Sequence, residues 1–469
     1  PYEIMLSESQ ERMLLVVKRG REAEVERIFD KWDLHAVRIG EVTGDGMLRV
    51  KHDGRVVAEI PNRALTDEAP LYQRPLKEPE YLADVQRLDL DALGSQPRDQ
   101  NSTLLALLAS PAIGNKRWVY RQYDHMVRTN TINPPGLGAG TVRIKGTDRA
   151  LAMSVDGNGR FCYLDPYCGA MLAVAEASRN VACAGARPLG ATNCLNFGNP
   201  ERPPIMWQFA RVVEGIGMAC RALKVPITGG NVSFYNETDG QPIYPTPTIG
   251  VVGLLEHADR VVSRRFAGAG DAVVLLGEGR GELGGSEYLK MVHGVVRGAP
   301  PALDLDRERA LQELLVALAA DRLIRSAHDC SDGGLAVTLA ECCFNTGGVG
   351  VEVSIPGTKI SRNEILNTAA ALFGESSSRA IVSAKPEHVP AILERAAASR
   401  VPAAAIGRSG GTTLRIAVGE RTAIDLSIGE AERAWSSAIE RYFVSRRAER
   451  AREGAERGAG APRAGWSAV

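Results

Sequence analysis

Four stretches of this chain carry residue types that bind anions, cations or nucleotides. In TGGNVSFYNE, residues 228–237, two glycines follow a short strand-like run that starts at Val225. They break that strand and let backbone N–H groups approach an anion with no side chain in the way. Asn231 then offers a neutral oxygen suited to Mg2+, and Ser233 a hydroxyl for a phosphate or substrate oxygen. A structural turn explains the same residues. ATNCLNFGNPE, residues 191–201, places amides, a glycine and an acid just past a strand end, the edge where α/β sheets bind ligands. HDCSDGG, residues 328–334, sets Asp329 and Asp332 before two glycines and a helix start. That pair serves either a cation or, through Asp332, the helix N-terminus.

GEGRGELGG, residues 277–285, holds Gly279, Gly281 and Gly284 in the GxGxxG spacing after an apolar strand, with Asp304 in the position of a ribose-binding acid. A nicotinamide-dependent oxidoreductase rests on those glycines alone. Glu278 and Glu282 put negative charge where a pyrophosphate should lie, and Asp304 sits in PPALDLDRER rather than after a second strand. The loop either closes on another ligand or is a plain surface turn. No GxxxxGK[ST] occurs, so any ATP is held differently.

Such loops need scaffolds. Residues 126–256 read as one α/β domain: AMSVDGNGRFCYLDP is strand and loop, and MLAVAEASRNVACAGARPL is a helix that stops near Gly185. A second helix shows Phe209, Val212, Val213, Ile216, Cys220 and Leu223 on one face. Residues 265–430 read as another α/β domain, with the strand DAVVLLGE, a helix bearing Leu311, Leu314, Leu315 and Leu318, and a capping box of Ser361 with Glu364. Residues 69–125, rich at first in proline and charge, read as a linker that includes a helix from Thr103 to Ala109. Residues 445–469 carry six Arg and three Glu among Ala and Gly, which predicts disorder; a basic nucleic-acid tail is the alternative.

The 56 basic and 56 acidic side chains cancel, so no global field draws the chain to nucleic acid or an anionic membrane. No apolar run approaches a membrane span. The eight cysteines show no CxxC and no spacing that pairs with histidine, and reduced thiols in a cytosolic protein are expected.

LSESQERMLLVV, residues 6–17, recurs as FGESSSRAIVSA, residues 373–384. Glu8 and Glu375, Arg12 and Arg379, Ile39 and Ile406, and Gly44 and Gly411 share one offset (375 − 8 = 367). A register held this long predicts a duplicated multi-domain unit. Each copy reads as an apolar run, an amphipathic helix, a second apolar run and a hairpin, turned in the first copy at Asp53-Gly54. Residues 1–68 are expected to be the closing element of a first copy, and the chain to be part of a longer protein that has lost most of its first half.

LSESQERML, CLNFGNPE, GGNVSFYNE, YPTPTIGVVGL, HDCSDGGLAV and FGESSSR, in that order, resemble the synthetase subunit of phosphoribosylformylglycinamidine synthase, from Pro1 to about residue 443. The resemblance implies an aminoimidazole ribonucleotide synthetase-like α/β (α+β) fold in two tandem units. Each unit has an N-terminal domain that pairs with its counterpart and a C-terminal α/β domain. It implies ATP-dependent conversion of formylglycinamide ribonucleotide to the amidine in cytoplasmic purine biosynthesis. ATP phosphorylates the amide oxygen, Mg2+ neutralises the transferring phosphate, and ammonia then displaces phosphate. The ammonia comes from a separate glutaminase subunit, with a small accessory subunit. By the same resemblance Glu8, Ser9, Gln10 and Ser233 are similar to substrate contacts, Asn193 and Gly230 to ATP contacts, and Asn231 to a magnesium ligand. The family's catalytic histidines and most of its magnesium carboxylates belong to a first N-terminal domain that has no match here. In the second, VDGNGRFCYLDPYCG keeps Asp156 at the carboxylate position and has Asn158 where the histidine stands. The alternative is an inactive, nucleotide-binding half that serves as scaffold.

Overall fold

The structure, a computed structural model, describes residues 2–7, 11–93 and 99–444. It divides into two units, Pro1–Gln73 and Arg74–Val469.

In the first unit a helix, Glu22–Asp30, precedes the antiparallel strands β1 (Met47–His52) and β2 (Arg55–Pro61). Asp53 and Gly54, both at positive φ, make the expected turn between them. A helical turn, Asn62–Leu65, follows. Moved by 367, the helix and both strands fall within a residue of Val389–Ala398, Thr413–Val418 and Arg421–Ser427 in the second unit, and the helical turn falls inside the first half of helix Ile428–Ser436. The two apolar runs behave otherwise. Residues 12–18 and 35–43 form no strand, and Met13, Leu14, Val16, Val37, Ile39 and Val42 are exposed. Their counterparts are strands because three further strands, earlier in the second unit, hydrogen-bond to them. The first unit holds no such strands among its described residues.

The second unit contains two sheets. Strands β3 (Thr131–Asn133), β4 (Gly140–Arg143), β5 (Ala150–Asp156), β6 (Arg187–Asn196), β7 (Ile227–Ser233) and β10 (Thr246–Leu255) form the first, in the order β3-β4-β5-β10-β6-β7; β8 (Glu237–Thr238) and β9 (Gln241–Pro242) pair separately. Helices Pro166–Cys183 and Pro203–Leu223 cover one face, burying Val174, Ala177 and Val181 against Val212, Ile216, Ile249 and Val251. The first of them is capped by Asp165, which accepts from the N–H of Cys168. Met153, Val155, Leu189, Val232 and Val252 remain exposed.

The other sheet runs β12-β14-β11-β15-β13-β16-β17, from β11 (Ala272–Leu276), β12 (Ser326–Asp329), β13 (Val351–Ile355), β14 (Ala380–Ala384), β15 (Ala403–Ser409), β16 (Thr413–Val418) and β17 (Arg421–Ser427). Helix Leu305–Ala320 buries Leu311, Leu314, Leu315 and Leu318 in the same cluster as Val274 and Val382.

Two sequence expectations need correction here. The 69–125 segment is more than a linker: helix Gln100–Leu108 puts Leu104, Leu107 and Leu108 into the core that also holds Val353 and Ile416, and Leu82 and Val85 pack with Leu164. Helix Glu364–Phe373 is capped by Asn363, not Ser361, because Ser361 lies too early to reach the first turn and its hydroxyl bonds Asp91 instead. The tail expected to be disordered, 445–469, lies outside the described residues.

Candidate functional site

The parallel pair β6–β7 brings together four of the residues singled out in the sequence. Its register sets Asn193 opposite Gly230, Cys194 opposite Asn231 and Asn196 opposite Ser233. The strand runs unbroken through Gly229 and Gly230, contrary to the reading that they end it; neither has positive φ, so both keep extended backbone. What Gly230 supplies is room, since a Cβ there would lie 2.0 Å from Asn193 Oδ1.

Strand alternation separates the four onto two faces. Asn193 shares the helix-covered face with buried Ala191 and Leu195, whereas Asn231 and Ser233 point the other way from the sheet's last strand. Asn231 is exposed, with Nδ2 4.0 Å from Cys194 Sγ and Oδ1 open to a ligand. Ser233 is fixed by Asn236, whose Nδ2 donates to the carbonyls of Ser233 (2.8 Å) and Phe197 (3.0 Å). For Mg2+, Asn231 fits as one neutral oxygen ligand among phosphate oxygens and waters, because that ion keeps several waters and needs few protein ligands. Among the described residues no group of three His, Cys, Asp or Glu could hold a metal by itself.

A second constellation lines the boundary between the two sheets of the larger unit. Asn158 caps helix Gly159–Leu164, accepting from Arg160 N (3.1 Å), and donates through Nδ2 to Asp332 Oδ1 (3.0 Å). Asp332 is therefore no helix cap: helix Gly334–Cys343 starts after a left-handed Gly333 with no side-chain cap. Arg160 pairs with fully buried Glu287 at 2.8 Å. Asn158, Arg160, Tyr244, Lys290 and Asp332 line a cavity of about 430 Å³. Tyr244 also stacks on Tyr163 (4.5 Å), which stacks on Tyr81 (4.6 Å).

Asp156 accepts from Ser154 Oγ (2.7 Å) and Asn180 Nδ2 (3.3 Å); burial, then the charge of Asp329, pushes it up to about 6. Burial, with Asp156 next, raises Glu176 well above the usual carboxylate range. Arg179 bonds Glu308 at 2.9 Å and lies 3.7 Å from Asp329. Burial works against the charge on Asp329, yet His328 and Arg179 hold it below its ordinary value. His328 in turn stays above its ordinary value despite burial, held between Asp329 (3.3 Å) and Glu341 (2.7 Å). Glu176, Arg179 and Asn180 were not singled out in the sequence. Their spacing of three and four on an otherwise apolar helix is the signal that could have found them.

Glu8, Ser9 and Gln10 lie outside the described residues. Their repeat partner Glu375 is buried, and its Oε1 accepts from the N–H of Gly333 (2.7 Å) and of Glu287 (2.9 Å) while Oε2 has no partner. In the GxGxxG stretch, a Cβ on Gly284 would lie 1.9 Å from Ala299 O, and Asp304 caps helix Leu305–Ala320. Packing accounts for both, which removes the oxidoreductase argument.

Comparison with known proteins follows the same division. The family model described as AIR synthase related protein, N-terminal domain, matches residues 136–255. That for the C-terminal domain matches residues 1–53 as well as 268–418. The phosphoribosylformylglycinamidine synthase subunit PurL of Moorella thermoacetica is 50% identical over 439 residues, 94% of this chain and 59% of its own length. Among solved structures, T. maritima PurL complexed with ATP superposes with a TM-score of 0.56 at 24% identity, covering 88% of this chain and 57% of that one. T. maritima PurL complexed with FGAR gives 0.58 at 18% identity, covering 75% and 56%. The chain spans about 59% of the length of the curated relative it matches.

Proposed function

The chain belongs to the AIR synthase related protein family, in the branch of the PurL subunits, and from that premise we propose that it forms part of an ATP-dependent phosphoribosylformylglycinamidine synthase. The activity is conversion of formylglycinamide ribonucleotide to formylglycinamidine ribonucleotide in cytoplasmic purine biosynthesis. It passes through a phosphorylated amide that ammonia attacks, together with a glutaminase subunit and a small accessory subunit. The observation that carries the reading is the identity over 94% of the chain with a PurL subunit, joined to the gathering of Asn193, Gly230, Asn231 and Ser233 on two adjacent strands.

In this reading Gly230 and Asn193 hold ATP, with the glycine's missing side chain leaving room for the Asn193 amide beside the strand. Asn231 supplies one oxygen to Mg2+, which when bound screens the negative charge of the transferring phosphate. Ser233, oriented by Asn236, contacts the ribonucleotide; Glu8, Ser9 and Gln10 are substrate contacts by the resemblance of LSESQERML to the family. Asn158 serves as a helix cap and bonds Asp332, so it provides no proton-transfer group. We therefore propose that the isolated chain binds nucleotide without turnover.

The cavity lined by Asn158, Arg160, Tyr244 and Asp332 favours a second reading, an inactive nucleotide-binding half that acts as scaffold. Calorimetric titration of the chain with ATP and Mg2+, beside an ammonia-dependent turnover assay, separates the two. Binding abolished by substituting Asn231 or Gly230 supports the edge-strand site, and binding that survives both but not loss of Arg160 supports the scaffold. Steady-state product formation by the isolated chain refutes the claim of inactivity.

A further inference from the structure

The loops that follow β6 and β7 are knitted together past the strand ends. Phe197 N donates to Ser233 O (3.0 Å), Asn236 N to Phe197 O (3.1 Å) and Tyr235 N to Gly198 O (3.1 Å). Asn236 Nδ2 also reaches Ser233 Oγ, at 3.2 Å. Tyr235 sits at φ +59°, a left-handed conformation that costs a bulky residue energy and persists only where its surroundings fix it. Phe197 and Phe234, one from each loop, both meet Phe209 edge to face, at 5.2 and 5.1 Å.

The small hairpin of β8 and β9 closes the arrangement. Asp239 and Gly240, both at positive φ, turn it, and Glu237 at its start reaches back to the loop after β6. Its Oε1 accepts from Asn199 N (2.9 Å) and from Arg202 Nη1 (3.1 Å). The Glu237 side chain is 20% exposed and that of Arg202 48%, so the ion pair is half in solvent and contributes little. The bond from Asn199 N is the stronger constraint, because it is charge-assisted and satisfies a main-chain donor. Gly198 shows how closely the two segments approach: a Cβ there would lie 2.6 Å from Pro242 Cβ and 3.0 Å from Glu237 Oε1.

We propose that Glu237 is a positioning residue: by tying Asn199 to the hairpin it fixes the spacing of the two loops, and with it the direction in which the Ser233 hydroxyl meets the ribonucleotide. This rests on the reading of Ser233 as a substrate contact. Asn193 and Gly230 lie three residues further back along the paired strands, where β6 and β7 bond each other directly, so Glu237 does not govern them. The test titrates the whole chain with formylglycinamide ribonucleotide and, separately, with ATP and Mg2+. Glu237→Ala is expected to weaken ribonucleotide binding about tenfold, the effect of one charge-assisted hydrogen bond, and to leave ATP binding within about twofold. Glu237→Gln keeps an oxygen for Asn199 N and should restore most of the loss, and Arg202→Ala should change little. Gly198→Ala, which presses the hairpin away with Glu237 intact, should reproduce the loss. Unchanged ribonucleotide affinity in Glu237→Ala overturns the proposal. So do equal losses for both ligands with a lower melting temperature, the mark of a purely structural role. A parent that binds ATP and not the ribonucleotide refutes the reading of Ser233 itself and the proposal with it, a result distinct from the other two.

Discussion

Replacing Glu375 by Gln should flatten the pH dependence of stability. Burial is the largest influence on this carboxyl, followed by Asp332; Arg160 and the N–H groups of Gly333 and Glu287 oppose them, and the outcome is a pKa of about 8 against an ordinary 4.5. The folded chain thus keeps a proton that the unfolded chain releases above pH 4.5. Folded-state stability must fall as pH rises from about 4.5 to about 8, by up to about 1.4 kcal/mol per pH unit. Over the interval (8 − 4.5 = 3.5) the loss reaches about 5 kcal/mol. Gln reproduces the protonated group, because Oε1 still accepts both N–H bonds and Oε2 has no partner to lose. The variant should match the parent near pH 4 and exceed it by a growing margin toward pH 8. Urea unfolding at a series of pH values, followed through buried Trp435, measures both curves. Parallel curves for parent and variant would refute the assignment of a retained proton to Glu375.

Three other outcomes are expected. Gly230→Ala drives a methyl against Asn193 Oδ1 and to 2.8 Å from the Asn193 carbonyl oxygen, so the β6–β7 pair must shift; ATP binding should weaken about tenfold or more and the melting temperature should fall with it. Arg179→Met strands Glu308 and Asp329, and denaturant titration should show a loss of about 3–5 kcal/mol. The repeat partners Ile39 and Ile406 should respond oppositely. Ile406→Ala, at a position 8% exposed, is expected to cost about 2–4 kcal/mol, and Ile39→Ala, at one 81% exposed, less than about 0.5 kcal/mol in the same assay.

Much of this architecture was readable because local signals agreed. The leucines of helix Leu305–Ala320, the apolar face of helix Pro203–Leu223 and the Asp53-Gly54 turn each follow from spacing alone. The repeat offset likewise located matching helices and hairpins in the two copies. Partner-dependent features stayed hidden. Residues 13–17 read as an apolar run, yet such a run becomes a strand only beside neighbours, and those of Ala380–Ala384 come from residues more than 50 positions away. Gly230 looked like a strand breaker because the sequence cannot show Asn193 beside it. Ser361 illustrates the same limit: it looked like a cap and binds Asp91.

The strand order of the larger sheet has a consequence for biosynthesis. β11 hydrogen-bonds, among the described strands, to β14 and β15 alone, both translated later, and its residue Ala272 pairs with Ala384, 112 positions on (384 − 272). At an elongation rate of roughly 5–20 residues per second the wait is on the order of 10 s, during which AVVLL leaves the ribosome with both hydrogen-bonding edges vacant. Such a nascent segment is a natural client for chaperones. Slower synthesis lengthens its exposure rather than relieving it, so yield should respond more to chaperone supply than to codon choice.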